Sequence, residues 1–419
     1  MYLGDHLKSK DRYIDGTEYF EPFTLSPRDR LRHLYAIGGT GTGKSTMTLR
    51  TALDDIHKGC GVMVLDPHGE LIEDLLLRIP RSRLNDVILL DVSDRDFPIS
   101  LNPFFNIPRH DHGLVASGMV DAFKAVTGYN DINTPIFDRV INSASRLMLD
   151  HPSGTLLDMY YFLSNPGFMG KVLEHSQDLV IKDFWLKDYP RKSPADRERL
   201  VGSTLNNLDP FITDPIFRNM FGQKRSSINF RKIMDSGQIL LVKLPQGEIG
   251  LLKSKLIGAL ILAQIHTQSM RRNSREPFHI FIDEFAYFGT STVQHMLSGI
   301  RKFGVSLTLV HQYANQLSAE MQSAIFGTVG TIMCFRIGLE DEAILQSQFQ
   351  LEPKDQLSGL APYTAFVRAD DTYFLKMPRV TSDTFPEHPE RIRRRSRELY
   401  AREALKVTLE INAHIRKMP

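Results

Sequence analysis

The run Gly38-Gly39-Thr40-Gly41-Thr42-Gly43-Lys44-Ser45 constrains this chain more than any other stretch. It matches G-x-x-x-x-G-K-[ST], a loop whose glycines let backbone N–H groups turn inward around phosphate oxygens. Such a loop works only where a buried strand hands over to a helix. Residues 33–37 predict the strand and residues 45–58 the helix. The helix N-terminus adds partial positive charge. Lys44 is expected to neutralise β- and γ-phosphates, and Ser45 to hold Mg²⁺ through its hydroxyl. Gly38, Gly39, Thr40, Gly41, Thr42, Gly43 and Thr46 complete the expected nucleotide-binding set. ATP and Mg²⁺ are the expected cofactors.

After this loop the pattern alternates. Buried strands are predicted at 61–66 and 86–91, with a helix at 70–77 between them. From about 108 to 228 no strand is legible. Apolar residues at helical spacing occupy 114–126, 136–149 and 171–186, punctuated by Pro152, Pro166, Pro190 and Pro210. Strands resume at 238–243, 278–283, 305–310 and 330–336, separated by helical stretches such as 250–270. Residues 363–368 and 372–376 flank Ala369-Asp370-Asp371 as a hairpin. The expected fold class is α/β, a mostly parallel sheet covered on both faces by helices and carrying an inserted all-helical domain. The expected organisation is an N-terminal leader (1–32, with an edge strand near 19–25), a first core part (33–107), the helical insertion (108–228), a second core part (229–380) and a basic helical tail (381–419). Arg391, Arg393, Arg394, Arg395, Arg397 and Arg402 crowd that tail. They fit a solvated, salt-bridged helix better than a phosphate-binding arm.

The second informative run is Phe278-His279-Ile280-Phe281-Ile282-Asp283-Glu284, an apolar strand ending in two carboxylates. Beside a P-loop, Asp283 is expected to bind Mg²⁺ through water and Glu284 to polarise the attacking water. Lys44 and Asp283 stand 239 residues apart, a gap that the helical insertion and extra strands must fill. Gln312 follows the next predicted strand and is a candidate sensor of the γ-phosphate or the attacking water. Arg301 and Arg336 are candidates for a guanidinium acting in trans on transition-state charge.

Composition excludes several classes. Net charge is only +2, so any nucleic-acid contact must use local patches. Cys60 and Cys334 make no disulfide framework and fit a reducing, cytoplasmic setting. The 14 histidines show no ligand spacing with the cysteines. Residues 1–32 are polar and charged, unlike a signal peptide, and the apolar stretch 249–265 is interrupted by Lys253 and Lys255. Work at a membrane would require a partner protein.

Together these motifs resemble the HerA/FtsK superfamily of ring-forming P-loop motors, in particular the branch of conjugative coupling proteins of type IV secretion. Further stretches carry the resemblance: Leu65-Asp66-Pro67-His68-Gly69-Glu70, Pro98-Ile99-Ser100-Leu101-Asn102-Pro103-Phe104, and Arg301-Lys302-Phe303-Gly304 followed by His311-Gln312. The resemblance implies a RecA-like core, a helical insertion, and hexamers with ATP sites between subunits. It implies Lys44 and Ser45 as nucleotide ligands, Asp283 and Glu284 as the acidic pair, and Gln312 as sensor. Arg301, eleven residues before that glutamine, has the spacing of the family's trans arginine.

The expected function is an ATP-driven translocase passing DNA through a ring, in conjugation or mobile-element DNA transfer or processing. Two alternatives use the same nucleotide motifs: an ATPase moving protein in a secretion machine, and a nucleotide-gated scaffold for a partner nuclease.

Overall fold

The structure is a computed structural model that describes residues 1–7, 20–127, 135–349, 351 and 356–418. The chain divides into two compact units. The first takes residues 1–90, 231–245 and 269–393, and the second takes 91–230, 246–268 and 394–419.

The first unit is built on a sheet with strands β1 (Tyr2–Leu7), β2 (Phe20–Thr24), β3 (Leu34–Ile37), β4 (Gly61–Asp66), β5 (Val87–Asp91), β6 (Ile239–Lys243), β7 (Phe278–Ile282), β8 (Val305–His311), β9 (Thr331–Cys334), β10 (Thr364–Arg368) and β11 (Thr372–Lys376). Their spatial order is β2-β1-β11-β10-β9-β3-β8-β7-β4-β6-β5. From β9 to β6 every recorded pairing is parallel, whereas β10, β11, β1 and β2 extend the sheet antiparallel. The parallel strands β3, β4, β7, β8 and β9 are buried along their whole length, which explains their mostly apolar sequence, with the few polar side chains such as His279, Ser306 and His311 buried too. One core joins the helix Lys44–His57 and the helix Glu70–Arg78 to β4, β6 and β7 through Leu53, Ile56, Ile72, Leu75, Val64, Leu241 and Phe281. A second core gathers Leu34, Met47, Met333, Phe335, Val367 and Leu375 with Leu3 and Phe23.

That second core corrects the expected leader. Leu3 and Phe23 are buried, and β1 pairs with β11 as well as β2, so the opening residues belong to the sheet, with β2 as its edge strand where one was expected near 19–25. Tyr19, the first residue of the expected edge strand, lies outside the described residues.

At the N-terminal ends of the parallel strands a polar cluster is sealed from water. Arg30 donates to Ser306 Oγ (3.0 Å) and Asp55 Oδ2 (3.3 Å), and His279 Nδ1 lies 2.8 Å from the same serine hydroxyl. Burial lowers the Arg30 pKa, opposed by Asp55, and raises that of Asp55, opposed by Arg30.

The second unit is helical. Its helices Pro166–His175, Pro194–Ile212 and Pro215–Phe221 each begin with proline, where the missing N–H costs nothing, behind the capping residues Asn165, Ser193 and Asp214. Pro210 does not end its segment, as expected of a punctuating proline, but lies inside the last turn of Pro194–Ile212. The expected helix 171–186 is broken into Pro166–His175, Leu179–Asp183 and a π turn, Phe184–Asp188, which buries Trp185. Leu251–Ser269 is apolar nearly all round because it is buried nearly all round. A Cβ at Gly118 would stand 3.0 Å from Ala263 Cβ, so this glycine sets how closely the helix His112–Thr127 meets Leu251–Ser269.

The arginine-rich tail splits between the units at Arg393/Arg394. Within the first, Arg393 pairs with Glu73; within the second, Arg397 pairs with Asp94 (2.7 Å) and Arg402 with Glu410. Among these three pairs none is the i,i+4 type; they fasten helices to their own units.

Candidate nucleotide site

Parallel strands all point one way, so their C-terminal ends form one rim of the sheet, where α/β proteins place ligands. The glycine loop leaves β3 on that rim. Ile37 is in register with His311 of β8 on one side and Cys334 of β9 on the other. The loop is then tied down by Gly38 N to His311 O (3.3 Å) and Gly39 N to Arg336 O (2.8 Å). A Cβ on Gly38 would lie 2.5 Å from Phe335 Cβ, so only glycine passes there. Gly41 and Gly43 take φ of +72° and +120°, the left-handed turn that opens the loop before the helix Lys44–His57.

Lys44 is buried and its Nζ donates to Gly38 O (2.6 Å) and Gly39 O (2.8 Å). Burial lowers its pKa, and Glu284 and Asp283 counteract that. Ser45 stands exposed at the first turn of the helix.

β7 delivers the carboxylates. Leu65 is in register with Ile282, which sets Asp66 and Asp283 side by side at two adjacent strand ends. Burial first, then Asp66 and Glu284, push the Asp283 pKa up to about 7. Three carboxylates here face one ammonium, that of Lys44, and a divalent ion would offset the remaining repulsion. Among the described residues no group of three His, Cys, Asp or Glu could hold a metal by itself. Mg²⁺ commonly binds through one or two carboxylates completed by phosphate and water, so Asp283 and Ser45 fit it.

Glu284 takes φ of +45°, a left-handed conformation rare for a residue with a long side chain. The turn breaks strand alternation and aims its carboxylate along the rim. Gln312 Nε2 donates to Glu284 Oε1 (2.7 Å), and Thr40 Oγ1 donates to Gln312 Oε1 (3.2 Å). The strand under this amide is fixed by a buried pair, Tyr35 Oη to His311 Nε2 at 2.6 Å. Burial, with Lys44 contributing, holds His311 down to about 4, so it stays neutral and structural.

Comparison with solved structures gives the same architecture. The chain superposes on the bacterial conjugative coupling protein TrwBdeltaN70 in its unbound monoclinic form with a TM-score of 0.64, at 14% identity, over 91% of each chain. The plasmid coupling protein TrwB in complex with ADP and Mg²⁺ gives 0.60 at 13% identity, over 86% of this chain and 88% of that one. VirB4 of Thermoanaerobacter pseudethanolicus gives 0.58 at 13% identity, over 91% of this chain and 96% of that one. The fold is that of TrwB and VirB4. No family model matches the chain, and no curated protein matches its sequence.

In this TrwB-like, RecA-like fold the two arginines occupy different rims. Arg301 is exposed in the turn Ile300–Phe303, before β8 begins. The seven residues of β8 separate it from Gln312, about 20 Å along the strand. It is remote from the P-loop of its own chain. Arg336 is exposed beside that P-loop, its carbonyl already bonded to Gly39. Its main chain is thus part of its own chain's loop scaffold, while its side chain is exposed.

Sequence reasoning missed two residues at the rim. Asp66 presses on Asp283, while its own oxygens accept His68 N (2.8 Å) and Ile72 N (3.2 Å); its signal was an apolar strand ending in Asp, as in β7. Tyr363, ahead of β10, donates its N–H to Thr42 O (2.8 Å), and only the hairpin pattern hinted at it.

Proposed function

We propose that this chain is a Mg-ATP-hydrolysing motor that assembles as a ring, a hexamer by its resemblance, and moves DNA in conjugation or mobile-element transfer. The observation that carries the reading is the hydrogen-bonded line Thr40–Gln312–Glu284, which joins the phosphate loop to a carboxylate across two strands. Solved relatives of the same fold include TrwB in complex with ADP and Mg²⁺ and in complex with a non-hydrolysable ATP analogue.

On this reading, the N–H groups of residues 40–44 bind the phosphates, and Lys44 exchanges its two carbonyl partners for phosphate oxygens. Mg²⁺, held by Ser45 and Asp283, would neutralise charge on the phosphates. Glu284 accepts a proton from the attacking water, with Gln312 orienting that carboxylate. Arg301 serves the site of a neighbouring subunit.

The test is ATP turnover by the purified chain with and without single- and double-stranded DNA, with particle mass measured in parallel. DNA should stimulate turnover in an oligomer, and the stimulation should fall with salt as phosphate contacts are screened. Glu284→Gln should cut turnover by about 10²–10⁴-fold while ATP still binds. Turnover indifferent to DNA would refute the DNA motor; unchanged turnover in Glu284→Gln would refute the hydrolytic assignment.

Among the described residues no helix is long and apolar enough to cross a membrane.

A further inference from the structure

We infer that Tyr363 is the platform on which the base of the bound nucleotide stacks. The inference deepens the nucleotide reading above and rests on it.

The direction of the nucleotide follows from the sheet order. Glu284 and Gln312, which must meet the terminal phosphate, follow β7 and β8 respectively, on one side of the P-loop strand β3. The rest of the nucleotide must leave on the other side, toward β9 and β10. Tyr363 stands there, immediately ahead of β10.

Its placement is specific. The Tyr363 N–H bonds Thr42 O (2.8 Å), and its carbonyl accepts Met377 N (2.7 Å), so the residue is clamped between the P-loop and the end of β11. The ring packs over Gly43: a Cβ there would lie 3.2 Å from Tyr363 Cδ1. Half of the residue (49%) is nevertheless open to solvent, leaving a π-face beside the first turn of the phosphate-binding helix.

The backbone supplies an independent observation. Ala361-Pro362-Tyr363-Thr364 closes with Thr364 N to Ala361 O (3.2 Å), with proline second and φ of +63° at Tyr363. This is the pattern of a type II turn, whose third position favours glycine or asparagine. A bulky aromatic there is strained, and strain of this kind concentrates at ligand clamps. The turn would form more easily with glycine, so folding does not explain the ring. A base does, since every base offers a π-face to stack on an aromatic.

The test compares ATP with inorganic tripolyphosphate, which has the phosphates and no base, by titration calorimetry on the full chain with Mg²⁺. Tyr363→Gly removes the ring and suits the turn, keeping the N–H that bonds Thr42. It should weaken ATP binding about tenfold to hundredfold and leave tripolyphosphate binding within about twofold. Tyr363→Phe should bind ATP like the wild type. ATP binding unchanged in Tyr363→Gly overturns the inference, and so does equal loss of both ligands, which would make Tyr363 a support of the loop only. A wild type that binds neither ligand would overturn the nucleotide reading and this inference with it.

Discussion

Removing the carboxylate of Asp283 should make the metal-free protein more stable. Its pKa rises from 3.8 to about 7 on folding, through burial and the neighbouring Asp66 and Glu284. The sign follows from linkage. The folded chain holds this proton more tightly than the unfolded chain, so stability is greatest below pH 4 and falls as pH rises to about 7. Three pH units correspond to about 4 kcal/mol at 1.36 kcal/mol per unit. Asp283 sits at a rim where solvent screens part of this, so about 2–4 kcal/mol is the expected gain for Asp283→Asn at pH 8. The melting temperature should rise by roughly 2–5 °C. At pH 5 most of the wild-type side chain is already protonated, and the gain should shrink to under about 2 kcal/mol. The assay is thermal and urea unfolding in EDTA at both pH values, repeated with Mg²⁺ and ADP. With the ligands present the gap should narrow, because the wild type alone keeps its metal contact and gains about 2.7 kcal/mol at a hundredfold excess over Kd. A destabilised Asp283→Asn in EDTA at pH 8, or a gain equal at both pH values, would refute the electrostatic account.

Arg301→Ala should keep its affinity for ATP and lose turnover, because the residue is about 20 Å of strand away from its own P-loop. Mixing it with Lys44→Ala, itself inactive, should restore turnover where an intact Arg301 faces an intact P-loop; a mixture as inactive as either parent would assign Arg301 to structure. Asp55→Ala, which strands the buried Arg30 guanidinium, should cost about 3–5 kcal/mol in urea unfolding. Replacing Arg30 with Met and Asp55 with Leu together should recover most of that loss.

Much of the rim was legible because its chemistry is local. The eight residues of the glycine loop, the strand ending in Asp283 and Glu284, and the amide of Gln312 each carry their signal within one short window. What stayed hidden depends on pairing over long sequence distance. Tyr2–Leu7 reads as leader until β11, some 370 residues later, supplies its partner. Tyr363 reads as the start of a hairpin until the end of β11 and the P-loop clamp it into a glycine-type turn. Asp66 resembles any strand-terminal aspartate, and only the register of β4 against β7 sets it on Asp283. Arg301 and Arg336 both follow a helix or strand end, and strand direction alone sends one to each rim.

The strand β8 has a consequence of its own. It is a short, stiff rod, hydrogen-bonded along both sides to β3 and β7, with an amide at one tip and a guanidinium just beyond the other. A rod cannot bend when its amide is tugged by a phosphate; it can only slide or tilt. In the proposed ring, whatever Gln312 detects would reach Arg301 as a displacement of the opposite tip, and so would carry the state of one site to the next subunit.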